Sequence, residues 1–184
     1  MNNKVIYIAS TNLSPSDEII AELIKRGNSI FMTTSCGLNE SVSNAHIVCH
    51  SSVEQGLAED ANNVVECTEM FGGIDILLYA KWIDRSEKLF LDVNKDEIEP
   101  YLEQIKELFT LCKCAVPYML GRENALILLP IDNDVSTINA PRAIYTGACI
   151  SAVNVLSAEF ADYGLQIKTM KTNNGPIDVI RSLL

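Results

Sequence analysis

Positive charge is what this sequence has least of. Its 184 residues carry 14 lysines and arginines against 24 aspartates and glutamates, a formal net charge of -10. No run of lysines or arginines gathers the cations it does have. A chain of that balance repels nucleic acid and anionic membranes, so neither is expected as a partner. A polyanionic ligand such as a dinucleotide or coenzyme A would need a local basic pocket, and nothing in the sequence announces one. Long apolar runs are missing as well: none approaches the roughly 20 residues of a membrane span. Residues 1–4 (MNNK) lead into a short apolar strand rather than a signal-peptide core. A cytoplasmic protein is the expectation.

Repeats, linkers and low-complexity tracts are also absent, so residues 1–184 read as one domain. Hydrophobic residues make up 48% of it, enough for a sizeable core. The six cysteines (Cys36, Cys49, Cys67, Cys112, Cys114 and Cys149) show no spacing that suits a disulfide framework. Cys112 and Cys114 stand two apart on an expected helix, so their side chains diverge and cannot share a metal. The cysteines read as small core residues, and no metal site is expected.

What is present is a regular alternation. Residues 4–9 (KVIYIA) read as a buried strand and 10–14 as a loop. A helix over 15–25 is closed by Gly27 at a C-cap position. Strands follow at 29–34 and, after a polar loop, at 45–49. Ser51 and Ser52, each with Glu54 or Gln55 three residues on, offer overlapping capping boxes for a helix reaching about Met70. Gly72-Gly73 breaks it before a strand at 74–80 (IDILLYA). A long helix over 96–120 carries Ile98, Tyr101, Leu102, Ile105, Leu108, Phe109 and Cys112 at helical spacing. A strand at 125–131, a helix at 143–163 and a strand at 165–170 complete the order. Near-continuous apolar strands alternating with helices mean a parallel sheet covered on both faces. The fold expected is α/β, doubly wound, three-layered and Rossmann-like.

The helix over 143–163 (AIYTGACISAVNVLSAEFADY) is unusual in having no broad polar face. Ile144, Ala148, Ala152, Val155 and Leu156 are grouped on one side and Cys149, Val153 and Phe160 on another; Asn154, Glu159 and Asp162 form no stripe. A helix apolar all round is buried. It is expected either at the centre of a bundle or between its own core and another chain, the reading favoured here.

Several stretches together resemble the short-chain dehydrogenase/reductase superfamily. Residues 4–34 align without gaps to its first strand-turn-helix-strand unit, ending on the glycine at Gly27. Phe71-Gly72-Gly73-Ile74-Asp75-Ile76-Leu77-Leu78 resembles the approach to its fourth strand. Val116-Pro117-Tyr118-Met119 resembles the end of its fifth helix, and residues 157–167 (SAEFADYGLQI) its sixth helix running into its sixth strand. The resemblance implies a dinucleotide fold. The chemical motifs of the family are what this chain lacks.

The family carries T-G-x-x-x-G-x-G after the first strand, where glycines let the backbone approach a pyrophosphate. The matching glycine positions here are Ser10, Ser14 and Ser16, with the acids Asp17 and Glu18 at the helix start that a pyrophosphate would need. Thr33-Thr34-Ser35 offers no acid to a ribose. The family's Asn-Asn-Ala-Gly corresponds to Tyr79-Ala80-Lys81-Trp82, where Lys81 reads as a phosphate partner or a solvated lysine. Of the family's catalytic group, the asparagine position matches Gln104 and the serine falls at Ile131 or Asp132. Tyr145 is followed four residues on by Cys149; the alternative register pairs Arg142 with Thr146. Neither gives Y-x-x-x-K, and a tyrosine without that lysine, near pKa 10, is a poor acid-base catalyst.

The family also continues past its sixth strand with a substrate lobe and a seventh strand, whereas residues 177–184 supply only two helical turns, so a truncated sheet is expected. The resemblance therefore implies a catalytically silent subunit with no catalytic, cofactor-binding or metal residues. Its partner would be an intact, NAD-dependent short-chain dehydrogenase acting on an alcohol or hydroxyacyl substrate. Silent subunits of this kind resemble those of heteromeric enzymes such as 2-(hydroxyphenylmethyl)succinyl-CoA dehydrogenase, which brings CoA thioesters into view. In this family the fifth and sixth helices commonly form the subunit interface. Helices 96–120 and 143–163, with Leu108, Cys112, Tyr145, Ala148, Cys149, Ala152 and Val153, are the expected contact. A divergent oxidoreductase using Tyr145 and a scaffold homodimer are the alternatives.

Overall fold

A computed structural model describes residues 3–10, 18–34, 40–42, 45–49, 56–81, 90–132 and 140–172. The strands are β1 (Val5–Ser10), β2 (Ser29–Thr34), β3 (Glu40–Val42), β4 (Ala45–Cys49), β5 (Ile76–Ala80), β6 (Leu126–Asp132) and β7 (Gln166–Thr172). The helices are α1 (Glu18–Lys25), α2 (Gly56–Phe71), α3 (Lys95–Met119) and α4 (Ala140–Glu159). The strands form one sheet in the order β3-β4-β2-β1-β5-β6-β7. Six of them run parallel, as the apolar runs implied, and β3 lies antiparallel to β4.

The expected polar loop between β2 and β4 therefore contains a short edge strand. A parallel crossover normally needs a dozen or more residues, and only residues 35–44 are available. A short strand paired back onto β4 uses that length where a helix could not.

Successive strand residues point to opposite faces, which divides the core in two. Tyr7, Phe31, Leu77, Tyr79, Ile127 and Ile167 pack with Val64 and Cys67 of α2, Leu108, Leu111 and Ala115 of α3, and Tyr145 and Cys149 of α4. Ile6, Ile8, Ile30, Met32, Ile76 and Leu78 pack on the other face with Ile20 and Leu23 of α1. Gly27 closes α1 as expected. It lies at φ +83°, its N–H donates to Ile24 O at 2.8 Å, and Asn28 N–H donates to Leu23 O at 3.3 Å, a left-handed helix ending. Asn28, fully buried, ties that ending to β1: its Oδ1 accepts from Lys4 N–H at 3.0 Å.

Helix boundaries moved slightly. α3 starts earlier than expected because Asn94 and Glu97 form a reciprocal capping box, at 3.2 and 3.0 Å. α4 begins at Ala140 and ends at Glu159, and Ala161–Tyr163 form a separate 3-10 turn stopped by Gly164 at φ +73°. The capping boxes expected at Ser51 and Ser52, and the segment 177–184, lie outside the described residues.

Candidate functional site

An open α/β sheet takes its ligands beyond the carboxyl ends of the strands, at the point where the strand order reverses. Here the chain builds outward from β1 through β2 to β4 and then returns to β5, so that point lies between Ser10 and Ala80. Ser10 is buried at the end of β1, and Ser14, Ser16, Asp17 and Trp82 lie outside the described residues.

Immediately after β5 stands Lys81. It is neither a solvated lysine nor free to meet a phosphate. Its Nζ donates to Glu107 Oε2 of α3 at 3.0 Å, and the two side chains are 12% and 8% exposed. Tyr79, two residues earlier and thus on the same face of the strand, shares that acceptor. Its hydroxyl lies 3.2 Å from Glu107 Oε2 and 3.0 Å from the Gln104 carbonyl oxygen. Glu107 thus binds Tyr79 of β5 and Lys81 just beyond the strand to one turn of α3. The sequence signal was faint: an acid on the inward side of an otherwise apolar helix face. Leu108 and Leu111 beside it are buried, and a carboxylate there needs a partner.

Behind this pair lies Tyr145. It is buried in the core, beside the Cys149 thiol one helical turn further on. Burial, the Cys149 contact and the negative charge of Glu107 hold the Tyr145 phenol well above its ordinary value. Burial, Tyr145 and Glu107 do the same for Tyr79. Burial pushes the Cys149 thiol up to about 11 and the Cys112 thiol to about 12. At neutral pH both phenols and both thiols therefore stay protonated. The lysine that could lower a tyrosine's pKa is paired with a glutamate, whose charge raises it.

The other family positions are equally quiet. Gln104 is buried, and Ile131 is a core residue. The Asp132 side chain is outside the description. In the second register Thr146 is buried and Arg142 half-buried on the first turn of α4. Among the described residues, no three His, Cys, Asp or Glu side chains gather as a metal site, and no helix is long and apolar enough to cross a membrane.

The expected contact residues lie mostly inside the single chain's own core. Leu108, Cys112, Tyr145, Cys149 and Ala152 are 0–8% exposed within this single chain. Val153 packs partly buried against the same core, and Ala148 is half-buried. Nor is α4 covered all round. Ile144, Ile150 and Val155 are 42–64% exposed, with Gly147, Ser151, Asn154 and Ala158 exposed beside them. On α3, Leu102 and Phe109 are exposed too.

No family model matches the chain, and no curated protein matches it either. Solved structures do. A short-chain dehydrogenase/reductase from Serratia marcescens superposes with a TM-score of 0.75 at 12% identity, over 92% of this chain and 78% of that one. An NADH-dependent reductase complexed with NAD gives 0.73 at 13% identity, over 94% and 80%. A glucose/ribitol-type short-chain dehydrogenase/reductase from Brucella melitensis gives 0.70 at 20% identity, over 89% and 73%. At such identities the likeness establishes the fold, which is that of these dehydrogenases and reductases.

Proposed function

We propose that this chain is a non-catalytic subunit that assembles with an intact, NAD-dependent short-chain dehydrogenase. The observation that carries the reading is the state of the groups beside the switch point. Tyr79 and Tyr145 are buried and held protonated, and the Lys81 ammonium is paired with Glu107, the carboxylate that also accepts from the Tyr79 hydroxyl. Such a constellation transfers no proton to or from a carbonyl substrate at neutral pH. The substrate of the assembly would be an alcohol or hydroxyacyl compound, with a CoA thioester among the candidates.

The exposed faces of α3 and α4 support the assembly part. From residue 143 to 158 the sequence of α4 has no charged residue, in a chain of net charge -10. A charge-free helix side bearing Ile144, Ile150 and Val155 suits a protein contact better than bulk water. The contact is thus proposed on the outer sides of α3 and α4, with Ala148 at its margin.

Purification of the chain at native abundance, followed by mass spectrometry and calorimetry, tests the reading. The expected result is a stoichiometric dehydrogenase companion with an intact glycine motif and Y-x-x-x-K. The separated chain should bind NAD and NADP more weakly than about 0.1 mM, a binding free energy of about -5.5 kcal/mol. Tighter binding, or turnover by the separated chain, would sink it.

A further inference from the structure

We infer that Glu107 is an autoinhibitory contact, one that withholds Lys81 from anionic ligands at the end of β5. Lys81 is the first residue past a central strand, beside the switch point where sheets of this kind receive phosphate-bearing ligands. A lysine is a flexible point charge, suited to meet a phosphate wherever it can reach one. Here its ammonium is held 3.0 Å from Glu107 Oε2, with both side chains nearly covered. The Tyr79 hydroxyl fixes the same oxygen from the second inward-facing position of β5. Displacing Glu107 would leave a carboxylate buried beside Leu108 and Leu111 without its cation, so an incoming anion competes against a preformed internal one. The anion that pairs with Lys81 is thus one this chain supplies itself. The inference rests on the reading that the unaltered chain takes no dinucleotide.

Inorganic pyrophosphate is the probe, titrated calorimetrically into the unaltered chain, into Glu107→Gln and into Glu107→Gln combined with Lys81→Met. The unaltered chain should show no binding up to about 1 mM, and Glu107→Gln should bind at least about tenfold tighter. Adding Lys81→Met should abolish the gain. A folded Glu107→Gln chain with no gain, or a gain that survives loss of the lysine, overturns the inference. Because removing one member of a buried pair is destabilising, a second measurement uses the unaltered chain. Amine acetylation followed by mass spectrometry should modify Lys81 about tenfold or more slowly than the exposed Lys25 and Lys95. Equal rates would mean that the ammonium is not withheld, and the inference fails. Dinucleotide binding by the unaltered chain would sink the proposed function and this inference together; a Gln variant without gain sinks this inference alone.

Discussion

Replacing Asp75 with asparagine should cost this fold about 2–3 kcal/mol at neutral pH, and the cost should fade in acid. Asp75 precedes β5 at the amino-terminal end of the sheet. Its Oδ2 accepts the Val5 N–H at 2.7 Å and the Arg122 Nη2 at 3.2 Å, while Oδ1 accepts the Arg122 Nε at 2.8 Å. Lys4 Nζ lies 3.9 Å away and also donates to Glu123 O. One side chain thus joins β1, the entry to β5 and the turn after α3. Asparagine has the same shape but only one accepting oxygen. If that oxygen faces Arg122, the amide NH2 points at the Val5 N–H; if reversed, it points at the guanidinium. Either way two donors oppose each other.

A hydrogen bond to a charged group is worth about 1.5–3 kcal/mol, and breaking a fully buried pair about 3–5 kcal/mol. The Asp75 side chain is 7% exposed but Arg122 is 30% exposed, so water recovers part of the guanidinium's loss and the lower range applies. The pH dependence follows from the direction of the shift. Burial pushes the Asp75 carboxyl up, but the Arg122 and Val5 hydrogen bonds and the Arg122 and Lys4 charges outweigh it, holding the group below its usual range. A lowered folded value means stability that is present above the unfolded value near 3.9 and lost as pH falls through the folded one. Urea unfolding of both chains at pH 7 and pH 3 reads this directly. A loss under about 0.5 kcal/mol at pH 7, or a gap that persists unchanged at pH 3, would refute the reasoning.

Three further outcomes are expected. Gly73 lies at φ +140° with Arg122 Nη1 2.6 Å from where a Cβ would sit, so Gly73→Ala should cost about 1–3 kcal/mol in urea unfolding. Because it pushes on the same arginine, its cost should be less than additive with Asp75→Asn. Tyr145→Phe removes only a buried hydroxyl beside Cys149, so stability should fall by no more than about 1.5 kcal/mol and turnover of the proposed complex should hold. A hundredfold fall in turnover with the assembly intact, as loss of an acid-base group typically gives, would make Tyr145 catalytic after all. Val155→Arg, on an exposed position, should leave circular dichroism unchanged and dissolve the assembly in sedimentation, whereas Cys149→Arg, at a fully buried position, should unfold the chain.

The fold was legible because burial on both faces leaves a direct trace in composition. Strands such as VIYIAS and ILLYA are buried at every position, and an uninterrupted apolar run is what such a strand must be. Gly27 was legible for a different reason: a left-handed helix ending admits few other residues. The three residues of β3 carry no comparable trace. Glu40-Ser41-Val42 is an edge strand held by backbone pairing to Val42↔Ala45 and its neighbours, which sequence hydrophobicity does not record. The capping box of α3 was there to be read in Asn94 and Glu97, and the apolar periodicity starting at Ile98 drew the boundary inward instead.

The division of α4 between inward and outward sides was harder, because apolarity says that a residue prefers cover without saying which body supplies it. On α4, Tyr145, Cys149, Ala152 and Leu156 follow i, i+4, i+7, i+11 and meet the sheet. Ile144, Gly147, Ser151, Val155 and Ala158 follow nearly the same spacing one residue earlier, and they face outward. Both ladders are free of charge, so the helix alone cannot tell them apart. On α3 a polar residue marks the inward side: Glu107 is bonded to Tyr79 of β5 and to Lys81 just beyond it. The pairing spans 26 residues of sequence and exists only once the crossover from β5 to α3 is made. On that helix Leu108 and Cys112 are buried on the inward side with Glu107, while Leu102 and Phe109 are exposed.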